Sequence, residues 1–194
     1  LALPGAVFSL CFDAFAAPRV VFVSDKGSDS AAGDSAHPVQ TLSKAVRLLE
    51  DGGTVVIMGA LSVKSAAELP SHKGTIIYTS VYDGVDYRTE STDPALVTMS
   101  ANLAFGGDFV IRDVAFKATA ENIVFICNSY NAVFDTGITT VKAGSGTYLS
   151  ITGGGASRFV RGGSNLTVNS GTWLRLRGGN RTEGGEVAGD SRIT

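Results

Sequence analysis

Short apolar runs flanked by glycine recur along this chain at intervals of a little over twenty residues. The clearest case is the string SGTYLSITGG, which begins at Ser145 and returns as SGTWLRLRGG at Ser170, an offset of 25, with six of ten positions identical and two more similar. Val110 and Val133 lie in matching apolar runs at an offset of 23. Intervals of this size fit one circuit of three short strands with their corners, and repeated circuits stack into a coil. A flat antiparallel sandwich gives no reason for a ten-residue string to repeat.

Glycine content favours the same class of fold. The chain has 24 Gly and only 5 Pro, and 14 of the glycines lie from residue 137 onward, many in pairs and triplets that suit tight corners. The pair Gly53-Thr54 returns as Gly74-Thr75 at an offset of 21, each time before an apolar run. No apolar stretch reaches the roughly 20 residues needed to span a bilayer. We therefore predict an all-β fold, a right-handed parallel β-helix (solenoid), with no membrane span.

The segment from Arg19 to Gly59 has the most readable local pattern. It predicts a strand at residues 20–23, a polar turn-rich loop, and then a short helix over residues 41–50 that Thr41 caps. The helix has one apolar stripe and stops at the glycines after Asp51, where a left-handed conformation ends helices. A second strand follows at residues 54–58. The apolar stripe consists of Leu42, Ala45, Val46 and Leu49.

This segment resembles the opening of a known family. The order VFVSDKGSD from Val21, then HPVQTL from His37 and the helix, then GTVVI from Gly53 is similar to right-handed β-helix proteins of the pectin-lyase-like superfamily. That group contains polysaccharide lyases, glycosidases and many non-catalytic surface proteins of bacteria. The resemblance covers about forty residues well and the rest only by repeat character. It implies that the helix plugs the N-terminal end of the coil, and that the protein is extracellular or located at the cell surface.

The two ends of the chain lead to separate expectations. Residues 1–18 are interpreted as an N-terminal strand or the remnant of a preceding domain, and residues 19–194 as the β-helix. The sequence ends at Arg192-Ile193-Thr194 without a helix or polar cap. Because an uncapped coil exposes unpaired strand edges, we expect the coil to be truncated, to self-associate through its open C-terminal end, or to fray there.

Charge is unevenly distributed along the chain. The net charge of -2 argues against nucleic acid as a partner. Residues 1–136 carry 9 Lys+Arg against 15 Asp+Glu, whereas residues 137–194 carry 7 against 3. The glycine-rich part is therefore the basic part, which suits either an anionic partner or a solvated face.

Two smaller features concern metal and redox chemistry. Asp25, Asp29 and Asp34 lie in the polar loop, where several carboxylates could hold a calcium ion, although such loops are also plain turns. No other cofactor is expected. Cys11 and Cys127 match no metal motif, and both a single long-range bridge and two buried thiols stay open.

The repeated ten-residue string also predicts a binding face. If Leu149 and Ile151 point inward, as Leu174 and Leu176 should one rung later, the residues between them point outward. Tyr148 and Trp173 would then stack about 4.8 Å apart on an exposed face. Rings flanked by guanidinium groups suit the apolar face and the hydroxyl or acidic groups of a glycan. The predicted glycan-binding residues are Tyr148, Trp173, Arg175 and Arg177; the alternative is that the rings seal a corner or a subunit contact.

Three functions remain from the sequence, one of them a purely structural assembly unit joined end to end through open coil termini. The leading one is a non-catalytic module of a secreted or cell-surface bacterial protein, a spacer or adhesin-like coil that could bind a polysaccharide or glycan along one face. The alternative is a carbohydrate-active enzyme, a polysaccharide lyase or glycoside hydrolase, or part of one, which should cluster carboxylates beside a Lys or Arg base. Catalytic residues cannot be assigned, because the available charged residues on or near predicted rungs match no catalytic motif. They are Asp108, Arg112, Asp113, Lys117, Asp135 and Lys142.

Overall fold

A computed structural model of the chain describes residues 19–90, 96–141, 149–155, 159–160, 164–179, 186–187 and 191–194. Within these residues the chain forms one α-helix, one 3-10 helix and twenty short strands. The prediction for residues 1–18, including Cys11, lies outside the described residues. Among the residues described, none of the helices has the length and apolar character needed to cross a bilayer.

Most strands belong to three parallel sheets. The first sheet contains β1 (Val20–Val23), β2 (Gly53–Ile57), β5 (Ile76–Thr79), β10 (Phe109–Arg112), β13 (Ala132–Phe134), β17 (Ser164–Val168) and β20 (Ser191–Ile193). The second contains β3 (Leu61–Val63), β8 (Leu96–Met99), β11 (Ala115–Ala118) and β14 (Thr139–Val141). The third contains β4 (Ala67–Glu68), β9 (Leu103–Ala104), β12 (Val124–Ile126), β15 (Ser150–Thr152) and β18 (Arg175–Arg177).

The chain visits the three sheets in a repeating order, and we call one such circuit a rung. β10, β11 and β12 lie in the first, second and third sheets, and β13, β14 and β15 repeat that order beside them. The strands of these two rungs pair in parallel in all three sheets. The prediction of an all-β chain of stacked parallel strands is confirmed, and the strand order is compatible with a parallel β-helix.

The pairing of residues between neighbouring strands tests the repeat intervals that the sequence predicts. Val110 pairs with Val133 and Ile151 pairs with Leu176, so the predicted offsets of 23 and 25 are confirmed. The offset of 21 between Gly53 and Gly74 is wrong, because Gly53 pairs with Ile76, at an offset of 23. Gly74 instead lies at the corner against the Asp51 carbonyl, where a Cβ would collide with that backbone. Similar corners at different positions in the rung produced the false alignment.

Aromatic rings fill the centre of the molecule. Phe105 and Phe109 stack with ring centroids 3.6 Å apart, and Phe125 meets Phe134 edge-on at 5.6 Å. All four side chains are almost fully buried. Rings that touch across successive strands add specific edge and face contacts to the apolar burial. Tyr78 joins this cluster, but its buried hydroxyl has no hydrogen-bond partner in the structure.

The helix α1 (Leu42–Leu48) packs on β1, at one edge of the first sheet. Thr41 caps it by accepting a hydrogen bond from the Lys44 backbone N–H at 3.1 Å. The predicted apolar stripe faces the core, since Leu42, Ala45, Val46 and Leu49 all belong to the same buried cluster as the strands. The predicted helix and its apolar stripe are confirmed, with the helix ending at Leu48.

The loop between β1 and α1 closes the outer edge of β1. Phe22 donates its backbone N–H to the Gly33 carbonyl at 2.7 Å and accepts from Val39 N–H at 2.9 Å. Ser24 N–H donates to the Val39 carbonyl at 3.0 Å. We call β1, this loop and α1 the covered end, because backbone groups at the edge of β1 have partners there.

A short excursion interrupts the rung between β5 and β8. β6 (Val81–Tyr82) and β7 (Val85–Asp86) form an antiparallel pair, and the 3-10 helix Tyr87–Glu90 follows. Tyr87 lies 5.4 Å from the ring of Phe22, on the side of β1 that faces away from the core cluster. This rung is longer than its neighbours, since Ile76 pairs with Phe109 at an offset of 33. The remaining two short strands, β16 (Phe159–Val160) and β19 (Glu186–Val187), pair in parallel.

Apolar columns become exposed at the far side of the stack. Leu149, Ile151 and Leu166 are each 1% exposed. Their counterparts one rung later are Leu174, Leu176 and Ile193, and these are 42%, 40% and 45% exposed. No described strand pairs with the outer edge of β18 or β20. We call these two edges together with Leu174 the open end.

Candidate functional site

The strongest candidate site is a cavity of about 260 Å³ on the third sheet, which we call the arginine pocket. It is formed at the strands β12, β15 and β18. Pockets that enclose whole drug-sized ligands are roughly 300–1,000 Å³, so this one suits a single ring or charged group of a larger ligand. The lining residues are Asn122, Val124, Ser150, Ile151, Thr152, Arg175 and Arg177.

Parallel register explains why these side chains meet. Val124 pairs with Ser150, which pairs with Arg175, while Thr152 pairs with Arg177. Because the same face of each strand carries every second residue, the two arginines lie on one side of β18, about 7 Å apart along it. Ile151 lies between Ser150 and Thr152 on β15, and Phe125 is its partner on β12. Both belong to the core cluster, so the arginines lie on the outward side of the sheet.

The electrostatics of the arginine pocket are those of an anion site. Two guanidinium groups line it, and none of the described lining residues is a carboxylate. Both arginines are exposed, whereas Ser150 and Thr152 beneath them are 8% and 1% exposed. The Thr152 hydroxyl donates to the Gly179 carbonyl at 2.7 Å, which fixes its direction. Guanidinium groups bind carboxylate, sulfate and phosphate oxygens through paired hydrogen bonds, and hydroxyls complete such contacts.

The predicted outward direction of Trp173 is wrong, and its stacking on Tyr148 is untested, because Tyr148 lies outside the described residues. The Trp173 ring packs edge-on against Phe134 at 5.2 Å and Phe125 at 6.0 Å, and its Nε1–H donates to the Ser170 carbonyl. The reason is that β18 begins only at Arg175, so the alternation of a strand does not extend back to Trp173. Trp173 seals the core near the corner, which was the alternative interpretation.

The residues of the repeated ten-residue string that were predicted to point inward also differ from one another in burial. Leu149 and Ile151 are buried as expected. Leu176 stands in register with Ile151 but is exposed, because no described residue covers it as Leu176 covers Ile151. The positions follow the repeat, while burial depends on whether another rung lies above.

The three aspartates of the proposed calcium loop each have separate local partners. Asp25 accepts hydrogen bonds from the backbone and hydroxyl of Ser62, at 3.0 and 2.7 Å. Asp34 accepts from the backbone and ring of His37, and the backbone hydrogen bond of His37 holds the pKa of this carboxyl below its ordinary value. In the part of the chain that the structure describes, no three His, Cys, Asp or Glu side chains are grouped to hold a metal ion. Calcium binding therefore stays a prediction without a geometric argument for it.

Asp29 ties the loop to the start of the helix. Its carboxylate accepts from the backbone N–H groups of Gln40 and Thr41, both at 2.9 Å, and from the Thr41 hydroxyl at 2.8 Å. Burial raises the pKa of Asp29, but these hydrogen bonds and the charge of Lys44 outweigh it and hold the pKa below its ordinary value. The loop aspartates thus stabilise the covered end through hydrogen bonds.

The acids considered for an enzyme are spread along the rungs and paired with amides. Asp108 accepts from the backbone N–H and side-chain amide of Asn131, and Asn165 donates to Asn131 Oδ1 at 2.8 Å. Asp135 accepts from Asn169 at 3.0 Å. These ladders satisfy polar groups between neighbouring rungs. They give the acids a structural role instead of the pairing with a base that hydrolysis or elimination needs.

The other described residues that were considered as catalytic candidates do not lie close together either. Arg112 and Lys117 are exposed on β10 and β11, in different sheets. Asp113 has a positive φ of 52° at the turn between these strands. Lys142 lies outside the described residues. Cys127 is fully buried and not bridged, and burial raises the pKa of its thiol, so it is unsuited to act as a nucleophile.

Sequence reasoning found the two arginines but missed the floor of the pocket. Ser150 and Thr152 were expected to lie outward and exposed, yet both are buried. Asn122 was not singled out; its positive φ of 59° turns the chain just before β12. The signal for this floor was present in the offset of 25, which sets Ser150 under Arg175 and Thr152 under Arg177.

Comparison with known proteins adds no assignment: no protein family, curated protein or solved structure significantly matches this chain. Function must therefore be argued from the geometry of the arginine pocket.

Proposed function

We propose that the chain is a non-catalytic, right-handed parallel β-helix module of a secreted or cell-surface bacterial protein, and that it binds acidic glycans at the arginine pocket. The observation that carries this proposal is the pair Arg175 and Arg177 lining one cavity with the hydroxyl residues Ser150 and Thr152. The resemblance of residues 21–57 to the opening of β-helix surface proteins supports the handedness and the location.

The composition of the arginine pocket favours a charged sugar over a neutral one. Neutral glycan sites use exposed aromatic rings that stack on the sugar face, but Trp173 packs against the core. What the pocket offers is positive charge on an outward sheet face. A carboxylate or sulfate on the sugar would pair with the guanidinium groups, and its hydroxyls with the pocket floor.

A binding role without cleavage fits the placement of the acids. A glycosidase or lyase needs carboxylates or a base close to the bound sugar. Among the residues that the structure describes, no carboxylate lines the arginine pocket, and Asp108 and Asp135 are engaged in the amide ladders. A glycan held at the arginine pocket would therefore meet no carboxylate acid or base among the described residues that line it.

The test is binding to immobilised polysaccharides in three matched sets: uronate-bearing, sulfated and neutral. We expect the acidic sets to bind and the neutral set to fail, with affinity falling as salt rises. Arg175→Ala should weaken binding about tenfold or more, and Arg175→Lys should restore part of it because charge returns without the planar fork. Arg112→Ala removes an exposed arginine from the first sheet and serves as the matched control.

Two results would overturn the proposal. Equal binding of neutral and acidic glycans would remove the role of the arginines. Release of unsaturated or reducing oligosaccharides during incubation would show that the chain is a carbohydrate-active enzyme.

A further inference from the structure

A groove of about 200 Å³ lies between the start of α1 and the strands β3 and β4, and we call it the helix groove. β3 and β4 are the outermost described strands of the second and third sheets. Between β1 and β2, where later rungs have strands in these two sheets, the chain forms the loop and α1 instead. Both sides of the helix groove are therefore built from described residues, Gln40–Ser43 on one side and β3 with β4 on the other.

The floor of the helix groove is apolar. It consists of five side chains that are each at most 9% exposed: Leu42, Leu61, Val63, Leu69 and Leu103. Ala67 leaves space above this floor, because it pairs with Leu103, which pairs with Phe125, and so brings the smallest side chain of that inward column to the groove. Such a floor favours an apolar ligand, since burial of apolar surface drives binding.

A smaller, inner space adjoins this floor. It measures about 10 Å³, roughly the room of one water molecule. Leu42 and Leu103 line both the helix groove and the inner space, so they separate the two. The inner lining is apolar apart from the Tyr78 hydroxyl, whereas a buried water needs about two to four polar partners. The end of an apolar chain that displaces the two leucines would therefore gain contacts that the unfilled space lacks.

The rim of the helix groove carries one charge. Lys64 is exposed and is the only charged side chain among the described residues that line the groove, and neither ion pair of the described chain includes it. Asp25 and Asp29 contact the rim, but their carboxylates already accept hydrogen bonds from the hydroxyls of Ser62 and Thr41. A carboxylate on the ligand would therefore pair with the Lys64 ammonium.

We infer that the helix groove binds a linear aliphatic carboxylate, with its chain on the apolar floor and its carboxylate at Lys64. The groove is smaller than the roughly 300–1,000 Å³ of pockets that enclose drug-sized ligands, so it suits a chain of medium length. The described linings of the helix groove and the arginine pocket share no residue. This site is therefore independent of glycan binding.

A homologous series of carboxylates tests the inference: butanoate, hexanoate, octanoate and decanoate, titrated into the full chain by calorimetry at low salt. Each added pair of methylenes should tighten binding by about tenfold until the helix groove is full, and the gain should then stop. Octylamine, which has the same chain as octanoate but a positive charge, should bind about fivefold more weakly than octanoate.

Two matched pairs of variants locate the ligand. Ala67→Phe fills the helix groove and should abolish octanoate binding, whereas Ala66→Phe changes an exposed neighbour outside the lining and should leave it unchanged. Lys64→Met should weaken octanoate binding about threefold and leave octanol binding unchanged. Lys117→Met removes an exposed lysine of the second sheet and is the control for Lys64→Met. The lysine pair keeps the test valid if Ala67→Phe does not fold.

Four results would each overturn the inference. They are no binding of any carboxylate, an affinity that does not change with chain length, octanoate binding that survives in folded Ala67→Phe, and octylamine binding as tight as that of octanoate. An equal loss in Lys64→Met and Lys117→Met would do the same, because the carboxylate would then respond to overall charge and not to the groove.

Discussion

The covered end and the open end differ in what lies against their outermost strands. At both, a parallel strand has an outer edge with backbone groups to satisfy. At the covered end a loop pairs with β1, and α1 together with its C-cap residue Leu49 packs into the core. At the open end, Leu176 and Ile193 stay 40% and 45% exposed. The comparison shows that burial in a stack is set by the next layer, and only secondarily by the residue's own hydrophobicity.

Stability should differ between the ends for the same reason. In a repeat architecture each layer gains most of its free energy from contact with its two neighbours. The open end has a neighbour on one side only within the described chain. Substitutions at the covered end should therefore be costly, and the same substitutions at the open end nearly silent.

The largest effect is expected from a matched pair of leucine truncations. Leu49→Ala removes a fully buried side chain and should lower the free energy of unfolding by about 2–5 kcal/mol. Leu176→Ala removes an exposed one and should cost less than about 1 kcal/mol. Denaturant unfolding of both variants measures the difference. Comparable losses would mean that the open end is covered in solution.

A smaller loss is expected where two parts of the loop beside β1 pass close to each other. A Cβ at Gly27 would lie 2.5 Å from the Pro38 carbonyl oxygen. Gly27→Ala must push apart the two parts of the loop at Gly27 and Pro38 and should cost about 1–3 kcal/mol. Hydrogen exchange should quicken at the amides of Phe22, Ser24 and Val39, which join loop and strand.

Gly84→Ala is the control for this substitution. No atom lies within 4 Å of a Cβ there, so any loss comes from its φ of +74° alone. Exchange at the edge of β1 should stay unchanged in that variant. If Gly27→Ala also left those amides protected, the loop would not be what closes the edge.

Removal of the Asp29 carboxylate should have a moderate effect that depends on pH. Asp29→Ala breaks the hydrogen bonds to Gln40 and Thr41 and should cost about 1–2 kcal/mol at neutral pH. Because folding lowers the pKa of Asp29, its contribution is present above the pKa of the unfolded chain and is lost as pH falls through the folded value. The difference from the unaltered chain should therefore shrink below about pH 4.

The pH dependence has its own control. Asp29→Asn keeps the shape of the side chain without the charge and should fall between the two at neutral pH. Unfolding free energies measured from pH 3 to 7, a range of about four units around the carboxyl pKa, give the comparison. A constant difference across that range would contradict the assignment.

The smallest effect is expected in the middle of the stack. Tyr78 is 3% exposed, and its hydroxyl has no hydrogen-bond partner among the described residues. Burial of an unsatisfied hydroxyl is unfavourable, so Tyr78→Phe should leave the protein equally stable or more stable by up to about 1 kcal/mol. Tyr82→Phe, in the half-buried excursion, should cause no change in thermal unfolding. A clear loss for Tyr78→Phe would reveal a partner for the hydroxyl.

Much of the fold could be predicted from the sequence because stacking repeats the same environment. The offsets of 23 and 25 give strand register directly, and capping by Thr41 with the apolar stripe gives the helix. The false offset at Gly74 arose because glycines mark corners, and corners are not tied to one position in every rung. The excursion after β5 was missed because its strands are only two residues long.

The candidate site was harder to predict than the fold. Arg175 and Arg177 could be placed on one face because strand alternation is a local property. Whether Trp173 continued that alternation depended on where β18 begins, which is decided by packing against Phe134 and not by the repeat. The burial of Ser150 and Thr152 is likewise a tertiary property: the offset of 25 set them beneath the arginines, but strand alternation alone predicted only that they point outward.

The excursion between β5 and β8 has a consequence for how such a chain can change in length. The offset between the paired residues Ile76 and Phe109 is 33, whereas that between Phe109 and Ala132 is 23, yet the register on both sides is intact. The extra residues leave the stack at a corner, and the chain then returns in the register of the neighbouring rungs. New segments could be grafted at that corner without altering the spacing of the layers, provided that the graft still shelters Phe22, which the present segment contacts through Tyr82 and Tyr87.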